Sequence, residues 1–348
     1  SNASALYGYN ASMRDFVFEH NTVQSLGYGI YIYDNTSYGS YLIQNNNIDQ
    51  TNIGFSLAQM AEAQILSNVI HSSSNALSIS NINSLLLEGN ELCSATDYAV
   101  YISPISQSTG SQDYFNNYMR SSGTSALYFY RTPNVRMYHN TVVSTSTNSN
   151  HTAFSHGNQS EGLDARNNIF VAASGIAAAF NSFGDIGTLS NNIYYSASGI
   201  PVKLGGESLM DITAYQSATM DNNSLYADPL LQTGEYVLQS SSEAIDAGVL
   251  LPDVLVDIEG NLRNLPDIGC YEYINPALII PQNVRIVPSA GYYTLVWDEV
   301  PGAASYIVYC GNSPDAASWQ AIPVQNTYIF LDMEPSATFF KVSAVTNR

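Results

Sequence analysis

"HNTVQSLGYGIYI", residues 20–32, decides how the chain is read. Asn21 is followed two places on by Val23, and eight places on by Gly29, which opens the strand-like run Ile30-Tyr31-Ile32. The arrangement returns as "NNNIDQTNIGFSL", residues 45–57, with Asn46 and Gly54, and as "NNIFVAASGIAAAF", residues 167–180, with Asn168 and Gly175. Recurrence at a fixed interval is the mark of a solenoid, so the period is read before any local propensity.

Aligned on an apolar residue, two residues, Asn, one residue and a second apolar residue, the chain yields Asn21, Asn46, Asn68, Asn90, Asn117, Asn140, Asn168 and Asn192, spaced 22 to 28 residues apart. Three places before them stand Phe18, Ile43, Ile65, Leu87, Tyr114, Met137, Ala165 and Leu189. Two places after stand Val23, Ile48, Ile70, Leu92, Met119, Val142, Phe170 and Tyr194. A second alternating segment follows most Asn residues: "GIYI", "GFSL", "NALSI", "YAVYI", "SALYF", "GIAAAF" and "GIPVKL". Helical periodicity is absent from this region, and no Asn-Gly or Asp-Gly hairpin joins consecutive strands. Stacking each strand on its equivalent one repeat later satisfies the backbone with parallel ladders about 4.8 Å apart. The pattern therefore predicts an all-β fold, a parallel β-helix solenoid.

At a corner between strands, an Asn side chain offers two donors and two acceptor lone pairs, enough to bond local backbone and the Asn of the next coil. The Asn column is predicted to be such a ladder. The Gly seven or eight places on is expected to take a corner with positive φ, although Tyr98 and Ser125 stand at equivalent places.

Composition narrows the function classes. Only 11% of the 348 residues are charged, Lys and Arg together number ten, and the net charge is −19. Such a chain repels phosphate backbones and anionic membranes, so nucleic acid is excluded as a partner. The longest apolar stretch, residues 169–180, is too short for the roughly 20 residues of a membrane span, and no membrane insertion is expected. Cys93, Cys270 and Cys310 are odd in number and widely spaced; they form no CxxC motif and read as small buried hydrophobes, with no metal site assigned. Ser1-Asn2-Ala3 looks like the remnant of a cleaved tag, and no signal-peptide pattern follows it.

Residues 10–205 resemble the right-handed parallel β-helix of the pectate-lyase-like superfamily, a handedness that also follows the rule for parallel crossovers. Coils are expected over 4–205, with more of them upstream of residue 4. "YADPLL", "SSSEAIDAGV" and "DIEGNLRNLPDIGCYEY" resemble the C-terminal cap of secreted bacterial β-helix proteins. The resemblance implies a cap over 206–275 that covers the open edge of the last coil, and a place at the cell surface or beyond it. A linker follows at 276–281, marked by Pro276 and Pro281. Residues 282–348 resemble a fibronectin type III domain, with Trp297 on the second strand, Tyr306 and Val308 on the third, and "FKVSAV" near the end. Phe340 occupies the usual place of the corner Tyr, and the last strand is short, which implies a less stable sandwich.

Outward positions lie four and two places before each Asn. Stacking places Asp113 beside Arg136 and Arg136 beside Asp164, next to a column of Phe115, Tyr138 and Arg166. If the superfamily's enzymes are the guide, Arg136 is the candidate base of a polysaccharide lyase, or the set that of a glycosidase. Asp113 and Asp164 would then hold a Ca2+ ion in a lyase; outside that reading no cofactor is expected. Otherwise the same residues form an ion-pair ladder beside aromatics suited to sugars. On the second strand of each repeat, Tyr101, Tyr128 and Tyr130 point outward, with Arg131 and His156 nearby, and offer a stacking surface for a glycan. The insertion "STSTNSNHTAFSHGNQSEG" brings in His151 and His156, read as solvent-exposed loop residues. "DIEGN", residues 257–261, reads as a turn braced by Arg263 rather than a calcium loop. The leading expectation is a monomeric exported protein that binds polysaccharide or a cell-surface glycan through its lateral face. A lyase or glycosidase, and a passive adhesin stalk, are the alternatives.

Overall fold

The computed structural model describes residues 4–11, 14–24, 27–34, 39–103, 110–232, 236–274, 281–289, 292–300, 303–313, 319–331 and 339–346. Two compact units divide at Tyr273 and Ile274. All of the linker expected over 276–281 except Pro281 lies outside the described residues.

The first unit is a parallel β-solenoid. Each coil lays down three strands, and equivalent strands stack into three faces. Face one carries the strand before each ladder Asn, such as Gln112–Phe115, Val135–Tyr138 and Leu163–Arg166. Face two carries the strand after it, such as Val69–Ser72, Glu91–Ser94 and Tyr118–Ser121. Face three carries the segments around Tyr98–Ser103, Ser125–Phe129 and Thr152–His156. The long strands Ile53–Leu66 and Leu77–Glu88 each run from face three into face one without a break. Pairing is parallel throughout the faces, and it turns antiparallel where Glu207–Leu209 closes on Ile200–Leu204.

Both apolar columns that flank the Asn residues point inward. Ile43, Ile65, Leu87, Met137, Ile48, Ile70, Leu92, Val142 and Phe170 are all fully buried in one continuous core. Toward the later coils that core becomes aromatic, with Phe154 stacked on Phe170 and Phe170 on Tyr194 at centroid distances of 5.1 and 5.4 Å.

The Asn ladder is complete from Asn21 to Asn192. Each side-chain Oδ1 from Asn46 onward accepts both the backbone N–H and the Nδ2 of the Asn one coil earlier, as Asn117 does for Asn90 at 3.1 and 2.9 Å. Nδ2 also donates to a carbonyl of the preceding coil, Leu87 O at 2.7 Å for Asn117. The last rung is closed from the cap, where Ser224 Oγ accepts from Asn192 N at 2.8 Å. The residue just before each ladder Asn takes positive φ: His20, Asn45, Ser67, Gly89, Asn116, His139, Asn167 and Asn191.

The expectation of positive φ at Gly29, Gly54 and Gly175 is not met; none is left-handed. Glycine is required there by close approach. A Cβ on Gly54 would stand 2.3 Å from Ala76 O, and one on Gly29 2.6 Å from Gly54 O. Register continues this column from Gly29 and Gly54 through Ala76, Ala99, Ala126 and Ala153 to Ala177, small residues where successive coils press together.

Beyond the last coil, the helix Ile212–Thr219, capped by Asp211, lays Tyr215 over the end of the core. The Tyr215 hydroxyl donates to Asp221 at 2.8 Å and can accept from the Tyr194 hydroxyl, 3.2 Å away. The chain then runs back along the side of the solenoid, well past the last coil. Leu238, Ile245 and Ile268 pack on Ile169 and Ile193, while Leu251 and Val254 reach Phe115 and Tyr138. The left-handed residues beside the ladder dock it: Asn167 exchanges two hydrogen bonds with the backbone of Val249, Asn191 donates to Ala247 O, and Asn116 donates to Val256 O at 2.7 Å. Buried Arg263 donates to Asn116 Oδ1 at 2.8 Å and pairs with Glu272.

The second unit holds two three-stranded antiparallel sheets. One joins Arg285–Ser289, Tyr292–Val296 and Tyr328–Leu331; the other joins Gln320–Val324, Ala303–Gly311 and Phe339–Thr346. Trp297, Tyr306, Val308, Leu331 and Val342 form its core.

Candidate functional site

Strand alternation turns every second side chain of face three outward, and the parallel register stacks them. The resulting column runs Tyr7, Tyr31, Ser56, Ser78, Tyr101, Tyr128, Ser155, Ala179, Lys203. Tyr101 and Tyr128 stack with ring centroids 5.5 Å apart and an interplanar angle of 9°, and Tyr98 leans on both. Tyr7 and Tyr31 repeat the motif at the first coils, 5.0 Å apart. After Tyr128 the column shrinks to Ser155 and Ala179, and a trough of about 480 Å³ opens, lined by Tyr128, Tyr130, Asn158, Ala179, Asn181 and Lys203. The Arg131 guanidinium lies 5.1 Å from the Tyr130 ring centroid. Burial and the neighbouring phenols raise the Tyr128 pKa above its ordinary value, so the ring is neutral at physiological pH. Aromatic faces, amides and a single ammonium around an open trough are the donor set that sugar rings and hydroxyls require.

Face one holds the expected columns in the expected register, Asp113 beside Arg136, Arg136 beside Asp164, and Phe115, Tyr138 and Arg166 beside them. The cap covers the aromatic part of them, while Arg136, Asp164 and Arg166 stay half-exposed. Phe115 and Tyr138 stack 5.2 Å apart at 4° and are 5% and 6% exposed, covered by Leu251 and Val254. Arg136 clamps Asp113 through Nε and Nη2 at 2.7 and 2.8 Å and reaches Asp253 of the cap at 2.9 Å. Its hydrogen bonds to Asp113 raise its pKa further and hold the guanidinium in its protonated form. Asp164 is held by Arg166 at 2.7 and 3.0 Å and by the Tyr138 hydroxyl at 2.7 Å. These pairs give both aspartates internal partners, and Arg136 ties the set to the cap through Asp253.

His156 is a second correction. It lies on the strand Thr152–His156 and points inward, 1% exposed, among Phe129, Phe154 and Phe180. Neither ring nitrogen completes a hydrogen bond, although the Ser160 backbone lies near, and burial drives its pKa down to about 4. His151 is half-buried and bonded to Ser146 Oγ and Asn148 Nδ2 at 2.8 and 3.1 Å. In "DIEGN", Asp257 accepts from the backbone of Glu259, Asn261 and Glu272, all within 2.9 Å, which fills its carboxylate with internal donors. Of the three cysteines, Cys270 is buried, whereas Cys93 and Cys310 are half-exposed.

The alternation of the second strand revealed the Tyr column, but the trough went unseen, because it is made by the smallness of Ser155 and Ala179. The docking residues Asn116, Asn167 and Asn191, and His139, whose Nδ1 lies 3.2 Å from Asp267 O, were also missed; their signal is a polar residue immediately before each ladder Asn in the later coils.

Residues 4–170 match the family model described as a right handed beta helix region. The solenoid is a right-handed β-helix. No match is found among curated proteins. The matched span of the β-helix takes in Tyr101, Tyr128, Tyr130 and six of the seven coil-to-coil steps of the Asn ladder, and it ends before Lys203.

Proposed function

We propose that this β-helix binds a neutral polysaccharide lengthwise along face three, with Tyr101, Tyr128 and Tyr130 as the stacking floor. The observation that carries the reading is the parallel Tyr101–Tyr128 pair standing beside an open trough that ends at Lys203. A chain with a net charge of −19 repels polyuronates, whereas a surface of Tyr, Ser and Asn matches uncharged hydroxyl-rich polymers. Face one, sheathed by the cap, contributes rigidity. The resemblance to exported proteins supports a place at or beyond the cell surface, with the second unit as a fibronectin-like spacer.

Native electrophoresis in gels containing a neutral glucan, a neutral mannan or a polyuronate tests this. Retardation by a neutral polymer is expected, and it is lost in the Tyr101→Ala/Tyr128→Ala double variant. Equal mobility in all gels would overturn the reading.

A further inference from the structure

We propose that His71, Glu91 and Cys93, on the outer surface of face two, form a site for one zinc-class divalent ion, independent of the glycan-binding face. The coil period creates it. His71 and Cys93 are 22 residues apart, one full coil, and pair directly in the parallel register. Glu91 lies two places before Cys93 on the same strand and thus on the same side. One donor atom from each, an imidazole nitrogen, a carboxylate oxygen and the thiol sulfur, lies within 4.8 Å of the other two. Donors around a tetrahedral zinc ion stand roughly 3.3–3.8 Å apart, given metal–ligand distances of about 2.0–2.3 Å. Side-chain rotations of about 1 Å on a rigid backbone close the set around an ion.

The donor chemistry selects the metal. Thiolate with imidazole favours zinc and cobalt(II) over calcium and magnesium, and the carboxylate with the thiolate supplies two negative charges to balance the ion. Three protein ligands leave the fourth position to solvent, and the His71 and Glu91 side chains, 47% and 30% exposed, leave a path for entry. His71 Nε2 bonds Glu91 Oε1 at 3.1 Å. Bonds to Cys93 and Glu91 raise the His71 pKa to about 10.

The test is a titration of the reduced protein with cobalt(II), read as absorbance. One equivalent should produce the near-ultraviolet band of thiolate-to-cobalt charge transfer, with tetrahedral bands in the visible, and zinc should bleach both. Cys93→Ser retains Cys270 and Cys310, so loss of the charge-transfer band in that variant assigns the sulfur. His71→Ala and Glu91→Gln, at exposed or half-exposed positions whose change the fold tolerates, should each weaken cobalt binding at least tenfold. A titration with no tetrahedral cobalt spectrum would overturn the proposal. So would a charge-transfer band that persists in Cys93→Ser.

Discussion

Replacing His156 with Leu should stabilise the β-helix, and by an amount that depends on pH. The imidazole is 1% exposed, bordered by three Phe rings, and neither nitrogen has a partner. Leaving a polar group unpaired in such a place costs about 1–3 kcal/mol even when it is neutral, and Leu of similar volume removes that cost. The pH term follows from linkage. The unfolded chain takes up the His156 proton near pH 6.5, while the folded chain resists until about pH 4. Between those values the folded state loses stability as pH falls, by about 1.4 kcal/mol per unit. At pH 5 the term reaches about 2 kcal/mol. The advantage of His156→Leu should therefore grow from about 1–3 kcal/mol at pH 7.5 to about 3–5 at pH 5. Urea unfolding of both proteins at the two pH values, followed by circular dichroism, measures it. The 29 carboxylates and the buried His139 titrate alike in the two proteins and cancel in the difference. An advantage that stays the same at both pH values would refute the reasoning, since it would mean that folded His156 takes up its proton as readily as unfolded.

Two further outcomes test the ladder and the cap. Asn117→Ala removes four hydrogen bonds in the buried core and strands Asn90 N and Leu87 O; it should cost about 3–5 kcal/mol in urea unfolding, against less than 1 kcal/mol for Asn223→Ala at the exposed cap surface. Arg263→Met leaves Glu272 buried without its cation, at a cost of about 3–5 kcal/mol, and limited proteolysis should then cut within 246–270 before the coils.

The coils were legible because stacking imposes the same demand every turn: a corner amide flanked by inward apolar residues, repeated from Asn21 to Asn192. The Tyr column was legible for the same reason. Face one was misread because its exposure depends on a partner far along the chain. Asp113 and Arg136 satisfy an outward ladder whether or not Leu251, Asp253 and Val254 lie over them, and no periodicity announces that docking. His156 was misread because the polar flanks of its insertion hide a short strand. Its signal was the alternation of Phe154 with His156, two places apart and both inward. Gly29 and Gly54 were assigned to turns, whereas their neighbours in space, Gly54 O and Ala76 O, show that contact between coils excludes a side chain. In each case local sequence carried the periodic part of the structure and was silent on contacts made once.

Hydroxyl-radical footprinting of the tyrosines with and without a retained neutral polysaccharide reports directly which face meets the glycan. Oxidation of Tyr101, Tyr128 and Tyr130 should fall when the polymer is present, while Tyr195 on face two and Tyr293 of the second unit stay unchanged. Protection confined to face two or the second unit, with Tyr101, Tyr128 and Tyr130 oxidised as before, would contradict the account.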